Sequence, residues 1–510
     1  MNRVLRLASL KGRYRILHAT TLAFFLSFVV WFNFAPFAKA IGEELGLSAA
    51  QLATLGLCNL ALTVPARLLV GVLLDRFGPR RLFAGLLVAA VVPNTVFALA
   101  QSFPVLALSR MAVGIVGAGF VVGIRMVSEW FEAEEIGTAE GVYGGWGNFG
   151  SAAAALALPG AGLLLADGPA AWRWAVGLSG VVAAAYGVVY LFLVRDTPDG
   201  RTFERPRRQG ALEVASRPAV VGLVLLQGPV VGVLALVAHR VERVGVIGRG
   251  TLHVVWAACA VLGAYLVAKV VLVNRPALAR RSGGEEGYSF ASVVLLSLAY
   301  FVTFGAELTV VSLLPTFFAD TFGLSVAAAG AAGSAFAFTN LVTRPGGGLA
   351  SDLLGRRRAT LVALLSGTAV TFGVLSALSA AWPLAAGVAL VALASVFVQG
   401  GNGAVFAMVP LVRRQVSGQI AGIAGSYGNI GGVLFSSVLF FTMDDAHPAG
   451  NTQLLFLTIA GAAAVVAVLC KRLPDLGSQV PDVHIAPPSP VRASTLAVHR
   501  LATEATHPSA

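Results

Sequence analysis

Two arginines lie inside apolar stretches at matching places of an internal repeat. Arg67 sits in TLGLCNLALTVPARLLVGVLLDRFGPRR and Arg344 in AAGSAFAFTNLVTRPGGGLASDLLGRRR. A shift of 277 residues (344 less 67) superimposes them, with Gly71 on Gly348, Asp75 on Asp352, Gly78 on Gly355 and Arg80–Arg81 on Arg357–Arg358. A guanidinium in hydrocarbon is costly, so one repeated in both halves marks a site. It is planar, permanently charged and offers forked donors to an oxyanion. Two of them facing each other across a pseudo-twofold axis suit a small anion. Glu307, mid-span in AYFVTFGAELTVVSLLPTFF, adds a carboxylate at membrane depth. It reads either as a carrier of a coupling proton or as a structural partner of an arginine, Arg344 included. Thr303 lies one turn before it on the same face. Asn402, in VQGGNGAVF, reads as a polar contact between helices.

The elements that must hold these groups are membrane helices. Of the 510 residues, 57% are hydrophobic and 12% charged, against about 25% charged in soluble chains. The net charge of +12 falls in short clusters between apolar runs, the pattern of cytoplasmic loops and not of a nucleic-acid surface. Cys58, Cys259 and Cys470 show no CxxC spacing and the histidines are scattered, so no metal, cofactor or disulfide framework is expected. No nucleophile–base pair appears, which argues against an enzyme. The N-terminal basic residues and the apolar run from His18 to Phe37 imitate a signal peptide. That run exceeds the h-region of about 7–15 residues and reads as an uncleaved first span with a cytoplasmic N-terminus.

Fourteen apolar segments follow, each long enough for a bilayer of roughly 30 Å. Six fill the first half, to residue 195. The linker 196–287 holds two more, 219–239 and 251–274. Six fill 288–470, and a Pro/Ser/Ala-rich tail, 471–510, is expected to be disordered and cytoplasmic. The basic loops after the second segment of each half belong on one side, and the inserted pair preserves that parity. Outer loops carry Glu43 and Glu44, and then Asp444, Asp445 and His447. Residues 240–250 hold Arg240, Arg243 and Arg249 and fit poorly outside, so the pair either breaks the positive-inside rule or lies in the interface. Arg67 precedes Asp75 by eight residues, roughly 12 Å along a helix, which puts both arginines near the midplane.

The string Gly71-x-Leu73-x-Asp75-Arg76-x-Gly78-x-Arg80-Arg81, with its looser copy at Gly348 to Arg358, resembles the loop motif of the major facilitator superfamily. It reads as a charge latch of Asp75, Arg76 and Asp352, which Arg125 and Glu129, one turn apart, could join. A second pair of strings reads [GS]-[WY]-G-N-x-G: Gly145-Trp146-Gly147-Asn148-Phe149-Gly150 and Ser426-Tyr427-Gly428-Asn429-Ile430-Gly431, the latter preceded by Gly425. Glycine clusters let membrane helices approach closely, and asparagine brings a polar group to membrane depth. With Trp31–Phe37 (WFNFAPF) and the two arginines, these strings resemble the nitrate/nitrite porter family over about residues 15–470, the inserted pair apart. Ser151 departs from a longer glycine run.

That resemblance implies an all-α major facilitator fold of two six-helix halves, working by alternating access. It implies that Arg67 and Arg344 hold nitrate or nitrite, flanked by Gly147, Asn148, Gly428 and Asn429. Trp31, Phe34, Trp146 and Tyr427 would wall or gate the site or serve as packing. Nitrate/proton symport for nitrate assimilation across a bacterial inner membrane is the expectation, with nitrate/nitrite exchange or a carboxylate carrier as alternatives. The lipid bilayer and protons are the other expected partners. The sequence leaves the oligomeric state open.

Overall fold

In lipid a segment must close its backbone hydrogen bonds internally, and long apolar runs do so as helices. The computed structural model describes residues 7, 9–166, 168, 170–206, 210–245, 247–279, 288–442 and 450–476, and no strand occurs among them. Thirteen helical stretches are long and apolar enough to cross a bilayer. In chain order they are α1 (Arg13–Leu45), α2 (Ala50–Phe77), α3 (Pro79–Leu99), α4 (Phe103–Trp130), α5 (Ile136–Leu165), α6 (Ala171–Leu193), α7 (Arg217–Arg243), α8 (Arg249–Val273) and α9 (Phe290–Phe322), then α11 (Arg357–Leu375), α12 (Leu384–Val412), α13 (Arg414–Phe441) and α14 (Thr452–Cys470). The remaining predicted segment, α10, is two helices, Val326–Phe338 and Asn340–Leu354, broken at Thr339 and carrying Pro345. The outer-loop residues Asp444, Asp445 and His447 and the tail beyond residue 476 lie outside the described residues.

Several spans are interrupted. α2 breaks at Leu62, three residues before Pro65. α4 tightens to a 3-10 stretch over Gly114–Ala118, and α5 breaks at Phe149.

The halves share one apolar core toward the end that carries the basic loops. It runs from Leu17, Phe24, Leu74 and Phe120 of the first half to Tyr300, Phe406 and Ile420 of the second. Toward the other end the core divides. Phe34, Leu55, Phe97 and Trp172 form one cluster in the first half, and Phe318, Phe336, Phe372 and Phe456 form another in the second. The molecule is therefore joined at its basic end and split into two packing units beyond the middle.

The inserted pair is an antiparallel hairpin. α7 packs on α8, on α13 and on the first part of α2. It begins beside the basic loops and reaches the far end, where the Arg240 guanidinium lies 3.9 Å from the Phe440 ring centroid. The arginine that fitted poorly in an outer loop is thus half-buried against an aromatic face, an arrangement that lowers the cost of its charge.

Candidate anion site

Arg67 and Arg344 converge between the halves, both fully buried at 0% and 1% exposure. Each comes from the second span of its half and packs against the glycine-rich helix of the other. Arg67 Nη1 donates to Gly425 O of α13 at 2.7 Å, and Nη2 to Gly117 O in the 3-10 stretch of α4 at 3.4 Å. With its amide turned so that Oδ1 faces the guanidinium, Asn429 accepts from Nε at 3.1 Å and from Nη1 at 3.2 Å. Among the described residues no carboxylate lies in ion-pair range of Arg67.

Arg344 is held differently. Nη2 donates to the Tyr300 hydroxyl at 3.0 Å. Nη1 lies 3.9 Å from Glu307 Oε2 and makes no hydrogen bond among the described residues. Glu307 is in turn fixed by two amides, Asn340 Nδ2 on Oε1 at 2.6 Å and Asn402 Nδ2 on Oε2 at 2.5 Å. Asn402 thus joins helices through Glu307, a more specific role than its sequence context conveyed. Two guanidiniums and one carboxylate leave the cluster one positive charge in excess.

Aromatic rings wall this charge. Both guanidiniums lie over Phe120 (5.4 Å for Arg67 and 5.6 Å for Arg344) and over Phe304 (5.3 and 5.8 Å). Tyr300 is nearly parallel to Phe304 at 5° and to Phe120 at 4°, and Phe406 meets both Tyr300 and Phe120 edge-on. Ring faces attract cations, and this offsets part of the desolvation of two buried guanidiniums. Of the aromatics expected at the site, Trp31 is a more distant wall, its ring 5.9 Å from the Arg67 guanidinium.

The glycine strings divide by helix face. A Cβ added at Gly144 would come within 3.0 Å of Arg344 Nε, and one at Gly425 within 3.1 Å of Arg67 Cδ. Asn148 and Asn429 lie one turn further on the same faces. Asn148 is buried, and neither of its amide atoms has a partner among the described residues. Gly147 instead packs on Phe24 of α1, and Gly428 on Tyr300 and Phe304. They allow close packing and do not face the arginines. Trp146 and Tyr427 point elsewhere, because two residues along a helix turn a side chain about 200° away. Trp146 is 48% exposed on the outer surface, and the Tyr427 hydroxyl donates to Leu226 O of the inserted hairpin at 3.2 Å. Phe34 lies over Arg110, not over the central pair.

At the basic end each loop-motif aspartate meets the start of the opposite half's glycine-rich helix. Asp352 accepts from Gly137 N at 3.1 Å, Thr138 N at 2.6 Å and Thr138 Oγ1 at 2.8 Å, and forms an ion pair with Arg357 Nη2 at 2.8 Å. This caps α5 across the interface, where a carboxylate also meets the positive end of the helix dipole. Asp75 accepts from Gln419 Nε2 of α13 at 2.8 Å. Gly71 and Gly348 make the crossings possible: a Cβ there would fall 2.7 Å from Gly418 O and 2.0 Å from Gly137 O. Glu129 pairs with Arg125 at 2.7 Å, and Arg125 Nη1 crosses to Ser417 Oγ at 3.3 Å. Arg76 stands apart from this network, exposed and over the Phe77 ring.

Sequence reasoning passed over Phe120, Tyr300, Phe304 and Phe406. It also passed over Arg110, whose Nη1 donates to Asn33 Oδ1 at 2.8 Å and whose Nη2 donates to Trp31 O. Arg110 thereby caps the first helical part of α1, Arg13–Phe32. An arginine in the apolar run FPVLALSRMAV was a legible signal for it.

The sequence pattern of the Major Facilitator Superfamily matches residues 20–294 and 296–501. The nitrate/nitrite transporter NrtP of a Picosynechococcus strain is 44% identical over 91% of this chain and 93% of its own length. The NrtP of Nostoc punctiforme is 43% identical over the same shares. The crystal structure of the human organic anion transporter MFSD10, 13% identical, superposes with a TM-score of 0.60 over 90% of this chain and 100% of that one, a likeness of fold. With two halves joined through crossed glycine-rich helices and an arginine in each, the chain belongs to the major facilitator superfamily and, within it, to the nitrate/nitrite porters.

Proposed function

We propose that this protein is a secondary active transporter that moves nitrate, nitrite or both by alternating access of its two halves, the anion travelling with protons. The observation that carries the reading is the central cluster of two buried guanidiniums against one carboxylate. It is one charge short of neutrality and bounded by flat aromatic faces. Nitrate is a planar monoanion with three equivalent oxygens. Its edges suit guanidinium forks and its faces suit aromatic rings. One bound nitrate makes the cluster neutral, and a neutral cluster moves through a low-dielectric interior more cheaply than a charged one.

The basic loops belong in the cytoplasm of a bacterial inner membrane, as do both termini. On this reading the halves are closed on the cytoplasmic side, with Asp352, Asp75 and the Arg125–Glu129 pair bridging the closed end. Release to the cytoplasm requires those contacts to part, with binding near the midplane between the repeats.

The test is uptake of labelled nitrate by the purified full-length protein in liposomes, with and without an inward proton gradient. Arg67→Ala and Arg344→Ala are expected to abolish it, and nitrite to compete where small carboxylates do not. Wild-type uptake by either variant overturns the site. Carboxylates competing as well as nitrite overturn the substrate. Uptake indifferent to the gradient overturns the proton.

A further inference from the structure

Glu307 is not the only carboxyl inside the spans, and it is the better compensated one. Its oxygens receive two amide donors, and an arginine lies beside it. Glu140, on the first part of α5, is 1% exposed. Among the described residues neither of its oxygens has any hydrogen-bond partner, and no cation is in ion-pair range. An ionised carboxylate without donors or counter-ion is very costly in such a place, whereas a protonated carboxyl is neutral.

The ionisable groups on the helices around it are committed elsewhere. In α1, Arg13 pairs with Glu135 at 2.5 Å and donates to Tyr14, while His18 bonds Leu7 O. In α4, Arg125 holds Glu129. In α6, Tyr190 bonds Thr20. In α10, Arg344 holds Tyr300 and lies near Glu307, and Asp352 holds the start of α5 and Arg357. α12 contributes no ionisable side chain.

Position links Glu140 to both ends of a transport step. Gly144, four residues on and about 6 Å along the helix, touches Arg344. Tyr143, three residues on from Glu140, stacks on Phe120 of the site wall and donates to Phe120 O at 3.0 Å. On the other side, a small cleft lined by Tyr14, Glu135, Thr138 and Ala139 opens at the basic end beside it. The Asp352 cap on Gly137 and Thr138, which must part when that end opens, begins three residues away.

We propose that Glu140 carries the coupling proton, a proposal that rests on the symport reading above. With the basic end closed its carboxyl holds the proton. When α5 leaves α10, water reaches it, the O–H bond breaks, the proton passes to cytoplasmic water and the carboxylate remains. Reprotonation occurs from the outer solution by way of the central site, once that side is open. A negative charge at Glu140 repels an anion at the arginines, so the site fills best when Glu140 is protonated. Proton and nitrate binding therefore favour each other, with the reciprocity that linkage requires.

The experiment uses full-length protein in liposomes enclosing a pH-sensitive dye. Nitrate-driven acidification and nitrate counterflow are measured for wild type, Glu140→Gln, Glu140→Asp and Glu307→Gln. In Glu140→Gln acidification is expected to fall about tenfold or more while counterflow stays within about twofold of wild type. Acidification at the wild-type rate overturns the assignment, and so does joint loss of acidification and counterflow, which marks a structural residue. Loss of coupling in Glu307→Gln with coupling kept in Glu140→Gln moves the role to Glu307. If Glu140→Gln does not fold, Glu140→Asp decides: a changed dependence of uptake on external pH is expected, and an unchanged one overturns the proposal. Counterflow without acidification in wild type overturns the symport reading itself, and this proposal with it.

Discussion

Arg67 and Arg344 occupy equivalent places in the repeat, yet their wiring is unlike. Arg67 is held by two backbone carbonyls and the Asn429 amide, with no carboxylate in range among the described residues. Arg344 has one firm bond, to Tyr300, a free Nη1 and a carboxylate at 3.9 Å. The asparagines follow suit: Asn429 is engaged, while Asn148 is buried with both amide atoms bare. At the basic end the bias reverses. Among the described residues Asp352, on the helix of Arg344, accepts three hydrogen bonds and pairs with Arg357, and Asp75, on the helix of Arg67, accepts one hydrogen bond. The repeat duplicates where charge sits without duplicating what satisfies it. The Arg67 side is a preorganised cradle. The Arg344 side keeps unspent donors and a counter-ion, so it is the side that can adapt to a ligand.

The largest effect that separates the two sides is expected from lysine substitutions. Lysine keeps the charge and loses the fork. Arg67→Lys abandons contacts to Gly425, Gly117 and Asn429, and nitrate uptake is expected to fall about 1,000-fold, since each bond to a charged group contributes roughly 1.5–3 kcal/mol. Arg344→Lys forfeits one firm contact, with a fall of about tenfold on the same scale. Equal losses in initial uptake rates would show that the wiring difference has no energetic weight.

Next is Glu307→Gln, which acts on the Arg344 side. Neutralising it leaves the empty cluster two charges positive, and one amide donor then faces the new side-chain NH2. Breaking one partner of a buried ion pair destabilises by about 3–5 kcal/mol where no anion compensates. Thermal unfolding is expected to show a Tm well below wild type without nitrate and to recover much of the difference in saturating nitrate. A deficit that nitrate leaves unchanged would remove Glu307 from the electrostatics of the site.

The latches give a smaller contrast. Asp352→Asn loses charge-assisted bonds to the start of α5 and to Arg357, where Asp75→Asn loses one to Gln419. At roughly 1.5–3 kcal/mol for each bond to a charged group, Asp352→Asn shifts the open–closed balance more. Alkylation of a cysteine placed at the basic-end interface would read this, and faster labelling of the Asp75 variant would reverse the ranking.

How much of this was legible in the sequence follows from contrast. Arginines and aspartates stand out in apolar spans, and the repeat doubled the signal for Arg67, Arg344, Asp75 and Asp352. Phe120, Tyr300 and Phe304 do not stand out, because an aromatic in an apolar helix looks alike whether it walls a site or faces lipid. The glycine strings marked the right helices but not the right faces. Gly144 faces Arg344 while Trp146, two residues on, faces outward, and Gly425 and Tyr427 repeat the pattern about Arg67. Linear motifs run along a helix, and function is sorted around it. Glu140 had the contrast but lies in a run of small residues, IGTAEGVYGG, that reads as packing.

The smallest contrast is the most diagnostic of which side adapts. Asn148→Ala removes a buried amide that bonds nothing in this state, and leaving such a group unpaired costs about 1–3 kcal/mol. The unliganded protein is therefore expected to lose no Tm. Asn429→Ala strips two contacts from Arg67 and is expected to lower it. In binding the order reverses if Asn148 reaches the anion. Its donor is then used only in the complex, and its loss weakens nitrate affinity by about tenfold for one hydrogen bond to a charged ligand. Thermal shifts with and without nitrate, together with calorimetric Kd values, separate the two cases. An Asn148→Ala protein with wild-type affinity would place the adaptable contact on Arg344 Nη1 alone. Weakened affinity with an unchanged Tm would make Asn148 the ligand-facing member of the asparagine pair and Asn429 the fixed one.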